Sequence, residues 1–452
     1  MTGEVRTVFR GGIVHCVDAS TTQLLEDGVL GLDQSNRIVF VEDGSQLALL
    51  QDRYGFAADA RTIQLKPHQF LMPGFIDTHI HASQYPNAGT GLDMPLLQWL
   101  ETYTFPTEAM FANPEFAQNA YEKVVQRTLR SGTTACSYFT TIHREASTTL
   151  VETCERLGQR AYVGKVCMDR NSPSTYIEVT NESIRETEAF VQATLARNSE
   201  LVTPIVTPRF VPTCSSQLMT GLGEVARRYN VPIQSHVSEN AGEIEWVRQL
   251  HPQCSSYSDV YDVHGLLNSK AIMAHGVHLS EAEMQLLSAR KVGVSHCPCS
   301  NYGILSGICR VRDLHQHNVK VGLGTDVSGG HSPAMLESLR LALIASKTVH
   351  FQEPALAPLR LYEGLHLATL GGAEVMGLQD QIGNFAPGKH FDALIVDPSS
   401  IDSPIDVFAK DKFSDRVEKF LFNGDDRNIV TVFVNGKVVK RLASAPALTA
   451  DF

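Results

Sequence analysis

The chain has 452 residues, of which 43% are apolar and 19% charged, so it can bury a large core and does not have the composition of a disordered protein. Lysine and arginine number 38 against 49 aspartates and glutamates, which gives a formal net charge of −11. This excess of acidic residues argues against binding to nucleic acid or an anionic membrane surface. No apolar run reaches the ~18 residues of a membrane span, so we expect no membrane partner either.

The cysteines indicate a reducing compartment. There are nine of them, an odd number, between Cys16 and Cys309, and none are spaced C-x-x-C. This pattern is typical of reduced thiols rather than of a disulfide framework. The first ten residues, MTGEVRTVFR, also lack the apolar stretch of a secretory signal. We therefore expect a cytoplasmic protein.

Both ends of the chain have the composition of short β-strands separated by turns. The predicted strands at the two ends are Val8–Cys16, Gly28–Leu32, Arg37–Val41, Phe391–Val396 and Ile429–Val439. The last of these is interrupted by Asn435-Gly436, a dipeptide that favours a tight hairpin turn.

The middle of the chain alternates short β-branched runs with longer amphipathic stretches. The predicted strands are Phe70–Ile80, Thr133–Thr140, Arg160–Met168, Leu201–Arg209, Val231–His236, Ala271–Gly276, Lys291–His296 and Lys320–Gly324. The stretches between them include helical patterns at Pro114–Leu129, Ser183–Ala196, Ser216–Tyr229 and Glu281–Arg290. Eight strand–helix alternations predict an α/β protein with a (β/α)8 barrel.

Polar residues interrupt the apolar runs at the predicted carboxyl ends of these strands, where a barrel carries its active site. His79 and His81 end the first strand two residues apart, so both can face the barrel mouth. With His236 at the end of the fifth strand and Asp326 at the end of the eighth, they form a candidate ligand set for zinc, which would make water acidic enough to supply hydroxide at neutral pH. The alternative is a set of buried polar residues without a metal, which would be energetically costly.

Longer motifs carry a family resemblance. The chain resembles the amidohydrolase superfamily in PGFIDTHIH (73–81), SHVSE (235–239), MAHG (273–276), SHCPCSN (295–301) and GLGTDV (322–327). More narrowly, it resembles the animal-type guanine deaminase family in HASQY (81–85), VTPRF (206–210) and LATLGGAEVMGL (367–378). The similarity extends from about residue 8 to about residue 440.

The resemblance implies one zinc ion per chain, a homodimer, and a small β-sandwich formed from both chain ends. The predicted domains are therefore residues 1–68 and 381–452 for the sandwich and 69–380 for the barrel. Binuclear relatives carry a carboxylated lysine at the end of the fourth strand, where this sequence has Arg209-Phe210. Lys165 is the nearest rival, and a structural role suits it better because it lies within a predicted strand.

The resemblance also implies the reaction, in which guanine and water give xanthine and ammonia. Zinc-bound hydroxide would attack C2 while Glu239, three residues after His236, moves protons to the ring and to the leaving amine. Asp326 would hold both the metal and the attacking water. His275, at the end of the sixth strand, would hydrogen-bond the water or the developing oxyanion.

Base recognition is assigned to residues near the first and fourth strands. A guanidinium offers only donors, so Arg209 suits the O6 and N7 acceptors of guanine and disfavours adenine, with its amino group. Gln84 can follow the rest of the base edge, and Phe210 can stack on the ring. His81 and Trp99 complete the predicted substrate-binding residues, although Trp99 also fits a helix core.

Two other functions stay open at this point. The chain can be an amidohydrolase acting on another aminated heterocycle, such as a triazine or cytosine. It can also be a non-catalytic scaffold descended from such an enzyme, which the intact candidate ligand set disfavours.

Overall fold

The computed structural model describes residues 4–446. Its strands are β1 (Val5–Cys16), β2 (Thr22–Asp33), β3 (Ile38–Asp43), β4 (Phe56–Gln64), β5 (Phe70–Pro73), β6 (Phe75–His81), β7 (Thr133–Phe139), β8 (Arg160–Gly164), β9 (Val166–Cys167), β10 (Val202–Pro204), β11 (Thr207–Pro208), β12 (Ile233–Val237), β13 (Ala271–His275), β14 (Gly293–His296), β15 (Lys320–Leu323), β16 (Ala393–Val396), β17 (Ile429–Val434) and β18 (Lys437–Arg441).

The helices lie mainly between the strands of the middle region. They are α1 (Leu47–Tyr54), α2 (Leu96–Trp99), α3 (Phe105–Ala109), α4 (Pro114–Arg130), α5 (Arg144–Leu157), α6 (Thr180–Ala196), α7 (Ser216–Tyr229), α8 (Ala241–Leu250), α9 (Tyr257–Val263), α10 (Glu281–Arg290), α11 (Pro298–Gly303), α12 (Val311–Gln316), α13 (Met335–Gln352), α14 (Leu361–Ala368), α15 (Leu370–Met376) and α16 (Phe413–Asn423). Within residues 4–446, none of them is both long enough and apolar enough to cross a membrane. All nine cysteines are free thiols, as the sequence predicts.

Eight strands from the two ends of the chain form one mixed sheet. Its order is β18-β17-β16-β5-β1-β2-β3, and β4 pairs with β1. The predicted hairpin at Asn435-Gly436 is confirmed, since Val434 pairs with Lys437 across it and both turn residues have positive φ angles, of 50° and 73°. The strand-rich character of both ends is therefore confirmed, and the packing of this sheet into a sandwich stays a prediction.

The strands of the middle region pair in parallel, as the alternation with helices predicts. They form sheets in the order β10-β8-β7-β6, β11-β9 and β12-β13-β14-β15. Backbone hydrogen bonds also connect the sheets, because Gln234 N donates to Val206 O and Asp326 N donates to His79 O, both at 2.9 Å. The last of these contacts brings the end of the β15 segment against the end of β6.

The single strand predicted at Phe70–Ile80 is wrong, because the structure has two strands there. β5 pairs with β1 and β16 in the mixed sheet, whereas β6 pairs with β7 in a parallel sheet. The chain passes between the sheets at Gly74, where a Cβ atom would lie 2.2 Å from the side chain of Thr134. The apolar pattern does not reveal this crossing, since the residues of both strands are buried.

A buried ion pair connects the mixed sheet to a parallel sheet. Arg160, in β8, donates from Nε and Nη2 to the carboxylate of Asp392, just before β16, at 3.1 and 3.3 Å. Asp392 also accepts a hydrogen bond of 2.7 Å from the amide of Asn435. One carboxylate therefore holds three segments of the chain together.

We expect Asp392→Asn to lower the free energy of unfolding by about 3 kcal/mol or more, because it leaves the buried Arg160 guanidinium without its counter-charge. Denaturant unfolding followed by circular dichroism measures the change. The control is Asp59→Asn, which removes an ion pair whose Arg6 and Asp59 side chains are 45% and 73% exposed. The control should change the stability by less than about 1 kcal/mol, and equally small changes in both variants would contradict the assignment.

Candidate active site

Three histidines and one aspartate meet where the parallel strands end. His79 and His81 lie in β6, His236 lies in β12, and Asp326 follows β15. One ligand atom from each lies within 4.8 Å of the others, and all four side chains are buried. Alternate residues of a strand face the same side, which explains why His79 and His81 both reach this point. The predicted convergence of these four residues, called the metal-binding group below, is confirmed.

The atoms of the metal-binding group leave lone pairs directed at a common point. Asp326 Oδ1 lies 3.1 Å from His79 Nε2 and 3.5 Å from His81 Nε2, and the Nε2 atoms of His81 and His236 are 3.1 Å apart. His236 Nδ1 donates to the carbonyl oxygen of Arg209 at 2.6 Å, so in the neutral ring Nε2 carries the lone pair. His79 Nε2 is buried and has no hydrogen-bond partner within residues 4–446. These nitrogens and the carboxylate fit a divalent metal ion.

The protonation states of the metal-binding group also suit a cation. Burial lowers the pKa of His79, and burial together with the neighbouring imidazoles brings those of His81 and His236 well below the usual value. Burial alone would raise the pKa of Asp326, but the adjacent histidines outweigh it and the net pKa falls. At neutral pH the group is therefore three neutral imidazoles and one carboxylate, the state in which these residues bind a metal.

Asp77 aligns the two chain segments that carry most of the metal-binding group. Its carboxylate accepts hydrogen bonds from the amide of His79 at 3.2 Å and from the amide of Thr325 at 3.0 Å. The hydroxyl of Thr325 donates to it as well. Burial raises the pKa of Asp77 to about 7. Since Thr325 precedes Asp326, this connection fixes the aspartate beside His79.

Glu239 and His275 lie next to the metal-binding group. His275 Nε2 is 3.4 Å from Glu239 Oε2 and 3.7 Å from Asp326 Oδ2. His275 Nδ1 donates to Asn301 Oδ1 at 3.0 Å, and the hydroxyl of Ser306 donates to Glu239 Oε1 at 3.2 Å. Burial, together with repulsion from Asp326, raises the pKa of Glu239 to about 8. The site therefore contains a carboxyl group that can hold a proton at neutral pH.

A cavity opens onto these residues. Nine of the ten predicted site residues line it, namely His81, Gln84, Trp99, Arg209, Phe210, His236, Glu239, His275 and Asp326. The tenth, His79, belongs to the metal-binding group but does not line the cavity. Leu96, Leu100 and Ile304 add apolar wall. Trp99 is 2% exposed and its indole N–H donates to Thr90 O at 3.2 Å.

The part of the cavity wall formed by Arg209 and Gln84 is held by a buried carboxylate. Arg209 donates from Nη1 and Nη2 to Glu108 at 2.6 and 3.2 Å, and Gln84 Nε2 donates to Glu108 Oε1 at 3.0 Å. Burial lowers the pKa of Arg209, but Glu108 outweighs it and raises the net pKa, so the guanidinium stays charged. Arg209 is thus both a partner in a buried salt bridge and a lining residue of the cavity.

Sequence reasoning missed the residues that support the site from behind. Glu108 belongs to no motif, and its one signal is an acidic residue within the apolar stretch TFPTEAMF (104–111). Glu243 was missed as well. It accepts from the amide of Glu239 at 3.1 Å and from the hydroxyl of Tyr257 at 2.5 Å, which anchors the Glu239 backbone.

Lys165 has the structural role that the sequence favours. It lies between β8 and β9 with no exposed side-chain surface. Its Nζ donates to Glu178 Oε1 at 2.5 Å and to the carbonyl oxygen of Val166 at 3.2 Å. This ammonium is therefore held in a buried ion pair.

Comparison with known proteins identifies the family. The sequence profile described as "Amidohydrolase family" matches residues 70–439. The chain is 46% identical over 447 residues to the guanine deaminase of Rattus norvegicus, with 98% of each chain covered. It is 45% identical to that of Dictyostelium discoideum, with 96% of this chain and 98% of the relative covered.

A solved structure gives the same relationship in three dimensions. The crystal structure of guanine deaminase from C. acetobutylicum, with guanine bound in its active site, superposes with a TM-score of 0.89 at 34% identity, covering 96% of this chain and 99% of that one. Full-length similarity at this level, together with the family profile, confirms the resemblance drawn from the motifs. The chain belongs to the amidohydrolase family and, within it, to the guanine deaminase branch.

Proposed function

We propose that the chain is a metal-dependent hydrolase that converts guanine and water into xanthine and ammonia. The observation that carries this proposal is one cavity that joins the metal-binding group and Glu239 to the donors of Arg209 and Gln84. The relatives that are 46% and 45% identical are guanine deaminases, and the 34% identical structure holds guanine in its active site.

The architecture that we propose for this activity is a closed (β/α)8 barrel over residues 69–380, apart from β5, which belongs to the mixed sheet. A sandwich built from residues 1–68 and 381–452 completes it. The hydrogen bonds from Asp326 to His79 and from Gln234 to Val206 support closure, because they connect the separate parallel sheets. A closed barrel collects residues from distant parts of the sequence at one mouth, as the metal-binding group requires.

Recognition of the base rests on the donors at the cavity wall. Guanine presents two acceptors, O6 and N7, on one edge, and arginine can donate to both. Glu108 takes the Nη1 and Nη2 donors of Arg209 from one side, which leaves the Nε side for the substrate. Phe210, 6% exposed, lines the same cavity and is placed to contact the ring face. Such stacking contributes about 1–3 kcal/mol per base.

Hydrolysis at C2 requires proton movements that Glu239 and His275 can perform. The attacking water must lose a proton, ring atom N3 must gain one, and the departing amine must leave as ammonia. Glu239, with a pKa raised to about 8, can both hold and release a proton near neutral pH. His275, in contact with Glu239 and Asp326, can hydrogen-bond the attacking oxygen.

A divalent ion held by His79, His81, His236 and Asp326 would lower the pKa of a bound water toward about 7. We propose one zinc ion per chain, because a set of three imidazoles and one carboxylate suits zinc. Iron and manganese accept similar ligands, so metal analysis of the purified protein distinguishes them.

We expect the purified protein to convert guanine into xanthine and ammonia, a reaction that ultraviolet absorbance measures. The activity should be lost on treatment with a chelator and return when zinc is added. Cytosine and an aminated triazine form the comparison panel. Turnover of either compound without turnover of guanine would show that the substrate is another aminated heterocycle. A protein that contains no metal and turns over none of the three would favour the scaffold alternative.

Asp326→Asn is expected to reduce the bound metal from one ion per chain to well below half, because it removes the carboxylate shared by His79 and His81. Mass spectrometry of the purified protein measures the metal, and turnover should disappear with it. Asp397→Asn is the matched control, a buried aspartate outside the metal-binding group, and should retain its metal. Full metal content in Asp326→Asn would refute the ligand assignment.

Glu239→Gln is expected to keep the metal and to lower kcat by about 100-fold or more, because an amide cannot carry the proton between water, ring and amine. Steady-state kinetics on guanine measure the effect, and metal analysis confirms that the site is intact. A change confined to KM would make Glu239 a binding residue instead.

Two further predictions concern the assembly and the location of the chain. The homodimer implied by the family resemblance can be measured by light scattering of the purified protein, and the cytoplasmic location by imaging of a tagged chain.

A further inference from the structure

We infer that Glu108 is a positioning residue that fixes Arg209 and Gln84 so that the cavity selects a base with a carbonyl group at the recognised edge over one with an amino group. This inference rests on the proposed function and adds a residue outside the cavity to the basis of its specificity. The geometry points to it through three hydrogen bonds that meet on one carboxylate.

The carboxylate of Glu108 is completely buried and lies behind the cavity wall. Glu108 has no exposed surface and is not one of the residues that line the cavity. Oε2 accepts from Arg209 Nη1, while Oε1 accepts both from Arg209 Nη2 and from Gln84 Nε2. A single anion therefore holds both side chains that we assign to base recognition, without itself lining the cavity.

The orientation of the Gln84 amide follows from its two neighbours. Its Nε2 donates to Glu108, and its Oε1 accepts from the amide of Ser328 at 3.1 Å. In the flipped orientation the amide oxygen would face the carboxylate and the NH2 group would face the Ser328 N–H, so both contacts would become repulsive. The second N–H of Gln84 is therefore the group free to meet a ligand as a donor.

Arg209 is restrained in the same way. A guanidinium has no acceptor, and the bond to Glu108 through both Nη atoms fixes the plane of the fork. Phe105 lies under it, with the guanidinium carbon 5.0 Å from the ring centroid. Both recognition residues thus present donors in fixed directions, which match carbonyl and ring-nitrogen acceptors and repel an amino group.

The segment that carries Glu108 also contributes to the cavity. Glu108 and Phe105 lie in α3, which follows directly after a π-helical segment that begins at the lining residue Leu100. The residue that positions the recognition side chains is therefore on the same short stretch as the apolar wall. Substitution of its carboxylate changes the direction of donors without removing any group that touches the base.

Glu108→Gln tests the inference through selectivity rather than activity alone. We expect kcat/KM for guanine to fall about 10- to 100-fold, mainly through KM, the factor that a good bidentate contact to a base contributes. The inhibition constant of 2,6-diaminopurine, which carries an amino group in place of O6, should change less than about 3-fold. The selectivity ratio, which is kcat/KM for guanine divided by the reciprocal of that inhibition constant, therefore falls. A general loss of packing weakens both compounds by the same factor and leaves this ratio unchanged.

Two further variants complete the experiment. Glu178→Gln removes the carboxylate from another buried ion pair, that with Lys165, and should leave the ratio unchanged. Glu108→Asp keeps the charge but is too short to reach both partners, and should give an intermediate ratio. Should Glu108→Gln fail to fold, Glu108→Asp decides the question. Metal content, measured in every variant, separates loss of recognition from loss of the metal.

The outcomes separate this inference from the proposed function. Wild-type protein that does not turn over guanine defeats the proposed function. Wild-type turnover, combined with Glu108 variants in which guanine and 2,6-diaminopurine weaken by the same factor or not at all, overturns the inference and leaves the function standing. A selective loss for guanine in those variants, with the metal retained, supports it.

Discussion

The structure depends on one constraint, the burial of three neutral imidazoles and one carboxylate at a single point. Polar groups removed from water are destabilising unless they find partners, and a cation is the partner that suits the lone pairs on Nε2 of His79 and His236. The parallel strands supply the positions, and the Asp77–Thr325 connection holds the first strand against the segment after the last. The fold that buries these side chains and the binding of a metal therefore depend on each other in this chain.

The charged groups around the cavity are arranged differently at the metal-binding group and at Arg209. Around the metal-binding group, neutral histidines and an ionised Asp326 prepare a place for positive charge. At the part of the wall proposed to bind the base, the charge of Arg209 is already balanced by Glu108, so a neutral base would meet directed donors rather than an unbalanced cation. Glu239 lies next to the metal-binding group, and its pKa is raised because it is buried beside the Asp326 carboxylate. In the proposed function, catalysis and base selection thus rely on different charged groups of the same cavity.

What the sequence could predict follows from how local its causes are. His79 and His81 reveal themselves by their spacing at a strand end, and the carboxyl ends of parallel strands meet at one place, so His236, His275 and Asp326 could be assigned from the order of strands along the chain. The crossing at Gly74 could not, because buried strands read alike in two different sheets. Glu108 could not either, since its partners are 24 and 101 residues away along the chain and it occupies a short helix without a motif.

The energetic cost of burying charged and polar groups also distinguishes an enzyme from a scaffold. A buried pair such as Arg209–Glu108 is seldom more stabilising than apolar residues of equal volume, and a carboxyl such as Glu239 held near Asp326 opposes folding in its ionised form. A scaffold gains nothing from these groups and would be more stable with apolar side chains in their place. A hydrolase needs them, since directed donors, a proton carrier and ligands for a metal must share a cavity from which bulk water is largely excluded. The arrangement is therefore that expected of an enzyme, in which catalysis requires buried polar groups although they make the centre of the protein less stable.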